Sequence, residues 1–126
     1  MNISAATRHD DGTRALVCGG REYDDYTRLK KALNAIHADR PFAVVITGGA
    51  PGADRMAEAW AKRQGIPTIR MEANWSRFGR KAGPMRNQWM VDLASPELVI
   101  AFPGGRGTQD MTDRAKSAGI EVIEAN

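Results

Sequence analysis

A single cysteine, Cys18, occurs in the 126 residues, so no disulfide can form within the chain and nothing points to an oxidising compartment. Histidine is almost as scarce. His9 and His37 have no second His or Cys at ligand spacing, which leaves no sequence basis for a metal centre. No apolar run approaches the roughly 20 residues of a membrane span. The opening residues, including Arg8, His9, Asp10 and Asp11, lack the apolar block of a secretory signal. The expectation is a cytoplasmic protein with no metal, no cofactor and no membrane contact. What the chain does contain is ordinary for a globular protein, with 42% hydrophobic and 26% charged residues. Its net charge of +3 and pI near 9.4 are mildly basic, which permits a phosphorylated small molecule or nucleic acid as partner.

Length predicts one domain, over residues 14–126, behind a loose polar leader at 1–13. The chain is organised around Leu98-Val-Ile-Ala-Phe-Pro-Gly-Gly-Arg-Gly-Thr108, an apolar strand stopped by Pro-Gly and followed by a glycine-rich turn into a helix. Two earlier strands, Arg14–Cys18 and Phe42–Thr47, end in the same way at Gly19-Gly20 and Gly48-Gly49. Between them Tyr26, Leu29, Leu33 and Ile36 recur at helical spacing. A second helix follows Ala50-Pro-Gly-Ala-Asp54, with Gly65 as its cap, and Ile66–Met71 reads as a more polar strand near the sheet edge. Glu72–Gly83 shows no period and reads as a long loop. A third helix is expected from Pro84, burying Met85, Trp89 and Val91 to Leu93, and a fourth from about Thr108 to Ala118, before a last strand at Glu121–Ile123.

This alternation predicts an α/β fold: a doubly wound, Rossmann-like parallel sheet of about five strands with helices on both faces, ordered 3-2-1-4-5. Ligands of such sheets bind at the carboxyl ends of the strands, where the order reverses. Here that crevice falls between the first and fourth strands. Three glycine turns converging there favour phosphate or ribose-phosphate, because glycine lets the backbone approach and a helix start aims free N–H groups and a positive dipole end at the anion. The candidate ligand residues are Gly19, Gly20, Arg21, Gly48, Gly49, Gly104, Gly105, Arg106, Gly107 and Thr108, with Thr47 as a further hydroxyl. Arg21, Arg55 and Arg106 follow the turns and suit phosphate forks. No Walker loop or G-x-G-x-x-G fingerprint is present. Asp54 is either a helix-start carboxylate or an acceptor for ribose hydroxyls. Trp75 and Phe78, interleaved with Arg77, Arg80, Lys81 and Arg86, offer stacking and charge to a base or a single strand. Trp89 and Met90 read as core, and Cys18 as a small buried hydrophobe. The carboxylates near the crevice are Glu22, Asp54 and Asp110.

Arg86-Asn-Gln-Trp-Met90 followed by Pro103-Gly-Gly-Arg-Gly-Thr108 resembles the paired signature of the SLOG superfamily, Arg-Lys-x-x-Met and Pro-Gly-Gly-x-Gly-Thr-x-x-Glu. That superfamily includes the LOG phosphoribohydrolases and the DNA-processing protein DprA. The turns Gly19-Gly-Arg-Glu-Tyr23 and Gly48-Gly-Ala-Pro-Gly-Ala-Asp54 resemble its YspA/cpYpsA-related branch. The resemblance implies a nucleotide-binding fold that needs no metal, and a homodimer. It implies catalysis only in part. Arg86 matches the catalytic arginine, but Met111 stands where the LOG glutamate would be and Asn87 replaces the lysine. The leading expectation is therefore a module that senses or sequesters a nucleotide derivative such as AMP or ADP-ribose. An N-glycosidase using Arg86 with Asp110 or Glu22, and a binder of single-stranded nucleic acid, are the alternatives. A carboxylate aimed into the crevice would favour the first of these, and a basic stripe continuing outside it the second.

Overall fold

The computed structural model describes residues 12–126; most of the expected leader therefore lies outside the described residues. Five strands, β1 (Thr13–Cys18), β2 (Phe42–Thr47), β3 (Thr68–Arg70), β4 (Leu98–Ala101) and β5 (Glu121–Glu124), form one sheet in the order β3-β2-β1-β4-β5. Every pairing is parallel. Thr13, assigned to the leader from sequence, is the first residue of β1 and pairs with Phe42.

The central strands are apolar on both faces because both faces are covered. Along β1, Ala15 and Val17 face a core built with α1 (Tyr26–Asp39) and α2 (Ala53–Gln64), which contribute Leu29, Leu33, Ala57 and Trp60. Leu16 and Cys18 point the other way, into a core with Met90, Val91, Met111 and Ala115. The strand period of two thus sorts one short sequence between two cores. Asp25 caps α1 by accepting from the Arg28 amide, and Gly65, at φ 74°, closes α2 in the left-handed conformation. No helix among the described residues is long and apolar enough to cross a membrane.

The segment after β3 differs from the sequence expectation. Glu72–Gly83 is not an open loop: Trp75–Phe78 forms a short helix, α3, and Gly79–Lys81 a 3₁₀ turn that runs into α4 (Ala82–Trp89). Asn74 nucleates α3 by accepting from the Arg77 amide at 3.1 Å. No residue of α3 is buried, so there was no apolar period to read. α4 begins at Ala82 rather than Pro84. The proline sits in its first turn, where an amide has no intrahelical partner to lose. Met90–Ala94 then continues as one π turn, whose extra residue rotates the buried face. Asn87, Met90 and Val91 are buried, whereas Trp89 is 41% and Leu93 73% exposed, contrary to the expected inner face. The final helix, α5 (Arg106–Ser117), starts two residues before Thr108.

Candidate functional site

At the carboxyl edge of the sheet, the ends of β1 and β4 part around a cleft of about 1100 Å³. Of the ligand and catalytic candidates singled out from sequence, Thr47, Gly49, Arg55, Arg77, Phe78 and Lys81 lie off it and the others line it. Gly49 is buried behind the turn, and its amide donates to Thr47 Oγ1 at 3.1 Å. Thr47 itself donates to Glu58, so neither has a group to offer a ligand. Phe78 turns outward and meets Trp89 edge to face, ring centroids 6.4 Å apart. The third expected phosphate arginine near this turn, Arg55, points its Nε to the Gly49 carbonyl and does not line the cleft.

The three glycine turns are not equivalent. The Gly20 amide donates to the Pro103 carbonyl at 2.8 Å, tying the lips of the cleft together and removing one expected donor. Around Gly48, the Ala50 amide donates to Asp54 at 3.1 Å, so this turn is closed by a carboxylate of its own. Among the described residues the turn into α5 keeps its first amides uncommitted, as the β1 turn does at Gly19 and Arg21. Its N-cap, Gly105, makes no side-chain capping bond, and among the described residues none accepts from the amides of Arg106, Gly107 or Thr108. Arg106 beside them, and Arg21 on the opposite lip, are exposed and form no salt bridge among the described residues. The Arg21 guanidinium lies 5.9 Å from the centre of the Trp75 ring, and Trp75 is 48% exposed at the cleft.

Arg86 forms the floor. Its Nη1 donates to the carbonyls of Gly48 at 3.0 Å and Met71 at 3.1 Å, and its Nε donates to Asn87 Oδ1. A side chain at Gly48 would overlap this guanidinium, which explains the glycine there without a ligand. Burial lowers the Arg86 pKa, against the opposing pull of Asp54. Asp54 is only 5% exposed, lines the cleft, and has no salt bridge within 4.0 Å among the described residues. Burial pushes its carboxyl up to about 6, although the Ala50 amide, Arg86 and the Gly48 amide act in the other direction. Asp110 is the opposite case. Partial burial alone would raise its pKa, but Arg114 at 2.8 Å and Asn87 at 2.9 Å hold it below the usual carboxylate range. Glu22 is an exposed residue on the rim. Met111 is buried against the second core and brings no charge to the floor.

Several cleft residues had no clear sequence signal. Asn87, at the position of the signature's lysine, also donates to the Gly107 carbonyl at 3.3 Å and so braces the α5 turn. Tyr23 stacks obliquely on Phe102, centroids 5.5 Å apart, and its buried hydroxyl has no partner among the described residues. Cys18 is buried as expected. Desolvation pushes its thiol up to about 12, with Asp54 adding to the shift and Arg86 opposing it. Iodoacetamide at about pH 8 should leave native Cys18 unmodified and alkylate it fully in denaturant, because the thiolate is the reactive form; rapid labelling of the native protein would contradict this environment. Among the described residues no group of three His, Cys, Asp or Glu side chains converges as a metal site.

Two comparisons with known proteins bear on the family of this chain. The chain is similar to the Gene 61 protein of Mycobacterium phage D29, with 39% identity over 119 residues that cover 87% of this chain and 94% of the phage protein. A family model described as YspA, cpYpsA-related SLOG family matches residues 13–78, which include β1, β2 and their glycine turns, Asp54 and Trp75. With this match over half the chain, and the signature elements Arg86 and Gly104–Thr108 lining one cleft, the chain belongs to the YspA, cpYpsA-related SLOG family.

Proposed function

We propose that the cleft binds a nucleotide or nucleotide derivative of the AMP or ADP-ribose type, in a sensing or sequestering role. The observation that carries this reading is the uncapped first turn of α5, which opens into the cleft between two unpaired arginines. A phosphate there would meet free amides, the positive end of the helix dipole, Arg106 and Arg21. Trp75, half exposed along the cleft, offers a ring face to a base, and Asp54 offers an acceptor to ribose hydroxyls. The volume slightly exceeds the roughly 300–1000 Å³ usual for small-molecule sites, enough for a nucleotide with a second group attached. Thermal unfolding with AMP, ADP-ribose, cyclic ADP-ribose isomers and inorganic phosphate tests the reading. A ligand at about 100 times its dissociation constant adds ~2.7 kcal/mol, and Arg106→Ala should remove most of that shift. No shift with any of these probes would overturn it.

A second reading, hydrolysis of the N-glycosidic bond of such a nucleotide, is favoured by Asp54. Asp110 is held ionised by Arg114 and Asn87 and is poorly suited to carry a proton, whereas Asp54 titrates near neutrality inside the cleft. In this scheme the protonated Asp54 carboxyl gives its proton to the departing base nitrogen as the C1′–N bond breaks. The carboxylate left behind steadies the cationic sugar, then takes a proton from the water that adds to C1′. Water is consumed, free base and ribose phosphate are released, and Asp54 returns protonated. Chromatographic detection of free base from AMP tests it: release that survives in Asp54→Asn, or no release from any nucleotide that binds, would remove this reading and leave the binding module.

A further inference from the structure

Asn87, on α4, is 3% exposed and links the Arg86 floor of the cleft to the turn that opens α5. Its Oδ1 accepts from Arg86 Nε at 3.0 Å. Its Nδ2 donates to Asp110 Oδ2 at 2.9 Å and to the Gly107 carbonyl at 3.3 Å, both on α5. These neighbours allow the amide one orientation, since a donor meets it on one side and two acceptors on the other. Neither a lysine nor a carboxylate would serve both sides. Lysine has no atom to accept from Arg86, and a carboxylate would set a second negative charge against Asp110. Arg114, itself held by Gln88 at 2.9 Å, fixes Asp110 from the side away from Asn87.

We propose that Asn87 is a positioning residue, which fixes the Arg86 guanidinium relative to the first turn of α5 so that both act on a ligand as one preorganised set. Arg86 is held at two of its three nitrogens: Nη1 by the Gly48 and Met71 carbonyls and Nε by Asn87. Nη2 makes no hydrogen bond among the described residues, and Arg86 lines the cleft. A planar guanidinium pinned at Nε and Nη1 has no rotation left, so those bonds set the direction of Nη2. At the other end, the bond to the Gly107 carbonyl holds the backbone whose amides stay free for an anion. A buried network of this kind passes a change at one end to the other, because no water can replace a lost partner. The inference rests on the cleft accepting a nucleotide, and adds which residue aligns the floor with the turn.

Nuclear magnetic resonance of the Arg86 Nε–H group, beside calorimetry with AMP, tests it on the full chain. Asp110→Ala alters only the α5 end of the network, at a side chain 30% exposed, and should fold. It should shift the Arg86 Nε–H resonance when Asn87 is present and leave it unmoved in an Asn87→Ala background, where the link is gone. Titration with inorganic phosphate should give the same contrast from the ligand side. AMP affinity should fall about tenfold in Asn87→Ala, and the losses from Asn87→Ala and Asp110→Ala should be less than additive, as for residues of one network. Asn87→Ser takes the place of Asn87→Ala should alanine prevent folding. An Arg86 resonance that ignores Asp110→Ala, or that responds equally with and without Asn87, would overturn the proposal. AMP affinity unchanged in Asn87→Ala would overturn it too, and leave the nucleotide reading intact. Coupling from Asp110 to Arg86 in a protein that binds neither phosphate nor AMP would support the positioning role and overturn the nucleotide as the ligand.

Discussion

Asp54→Asn is expected to make the protein more stable near neutral pH, by about 1–2 kcal/mol, while weakening whatever the cleft does. Burial raises the carboxyl from an ordinary 3.8 to about 6. Below about pH 4 the group is protonated in both the folded and the unfolded chain, so its burial carries no ionisation penalty. As pH rises from about 4 to 6, the unfolded chain releases the proton first and the folded chain retains it. Stability therefore falls across that window and stays lower above it. About two units correspond to roughly 3 kcal/mol at 1.36 kcal/mol per unit. Asparagine escapes the penalty and can still accept from the Ala50 amide, but it buries a new donor that offsets part of the gain. Thermal unfolding at about pH 7.5 should show Asp54→Asn melting roughly 4–10 °C above the parent. At about pH 4 the two should melt together or in reverse order. A variant less stable than the parent at every pH would show instead that Arg86 holds Asp54 as an ion pair. Stability sacrificed at a cleft residue is the usual mark of a group kept for function.

Much of this architecture could be read before any coordinates, and the reason is local. β1, β2 and β4 are apolar, β-branched runs stopped by Gly-Gly or Pro-Gly, and such punctuation fixes both the element and its end. Once five parallel strands are assumed, handedness restricts the order, and the order places the crevice between β1 and β4. α3 and the start of α4 were not legible, because a four-residue helix with no buried residue leaves no periodic trace. The π turn at Met90–Ala94 was invisible for a related reason: it changes the period itself, and Leu93 within it is exposed, whereas Trp89, before the turn, lies off the helix face that buries Gly83, Asn87 and Met90. At the cleft, residue type revealed which side chains gather but not which groups remain available. Gly20 and Gly49 have glycine's freedom, yet their amides are already committed to Pro103 and Thr47. Asp54 and Asp110 look alike in sequence. Only their neighbours, apolar burial for one and Arg114 with Asn87 for the other, separate a carboxyl that titrates near neutrality from one that stays ionised.

The same distinction predicts opposite outcomes for two glycines in the turns. Gly52, at φ +85°, caps α2, and a Cβ there would run into the backbone carbonyls of Gly20 and Arg21. Backbone cannot give way as a flexible side chain can, and the left-handed conformation adds its own strain. Gly52→Ala should cost ~3 kcal/mol or more and lower the melting temperature by roughly 10–20 °C. It should also disturb the β1 lip, because the Ala53 amide donates to the Gly20 carbonyl at 3.2 Å. Gly107 is different. It lies in the first turn of α5 with an ordinary φ, and nothing stands within 4 Å of where a Cβ would be. Gly107→Ala should leave the fold intact or stabilise it by up to about 1 kcal/mol, since alanine suits a helix better than glycine. If a phosphate packs against that turn, the added methyl should nonetheless weaken nucleotide binding by about tenfold, a loss of ~1.4 kcal/mol. The two variants separate turn chemistry from ligand contact. Gly107→Ala binding nucleotides as well as the parent would mean that the α5 turn is glycine-rich for reasons of chain geometry alone, and the phosphate would then belong nearer Arg86.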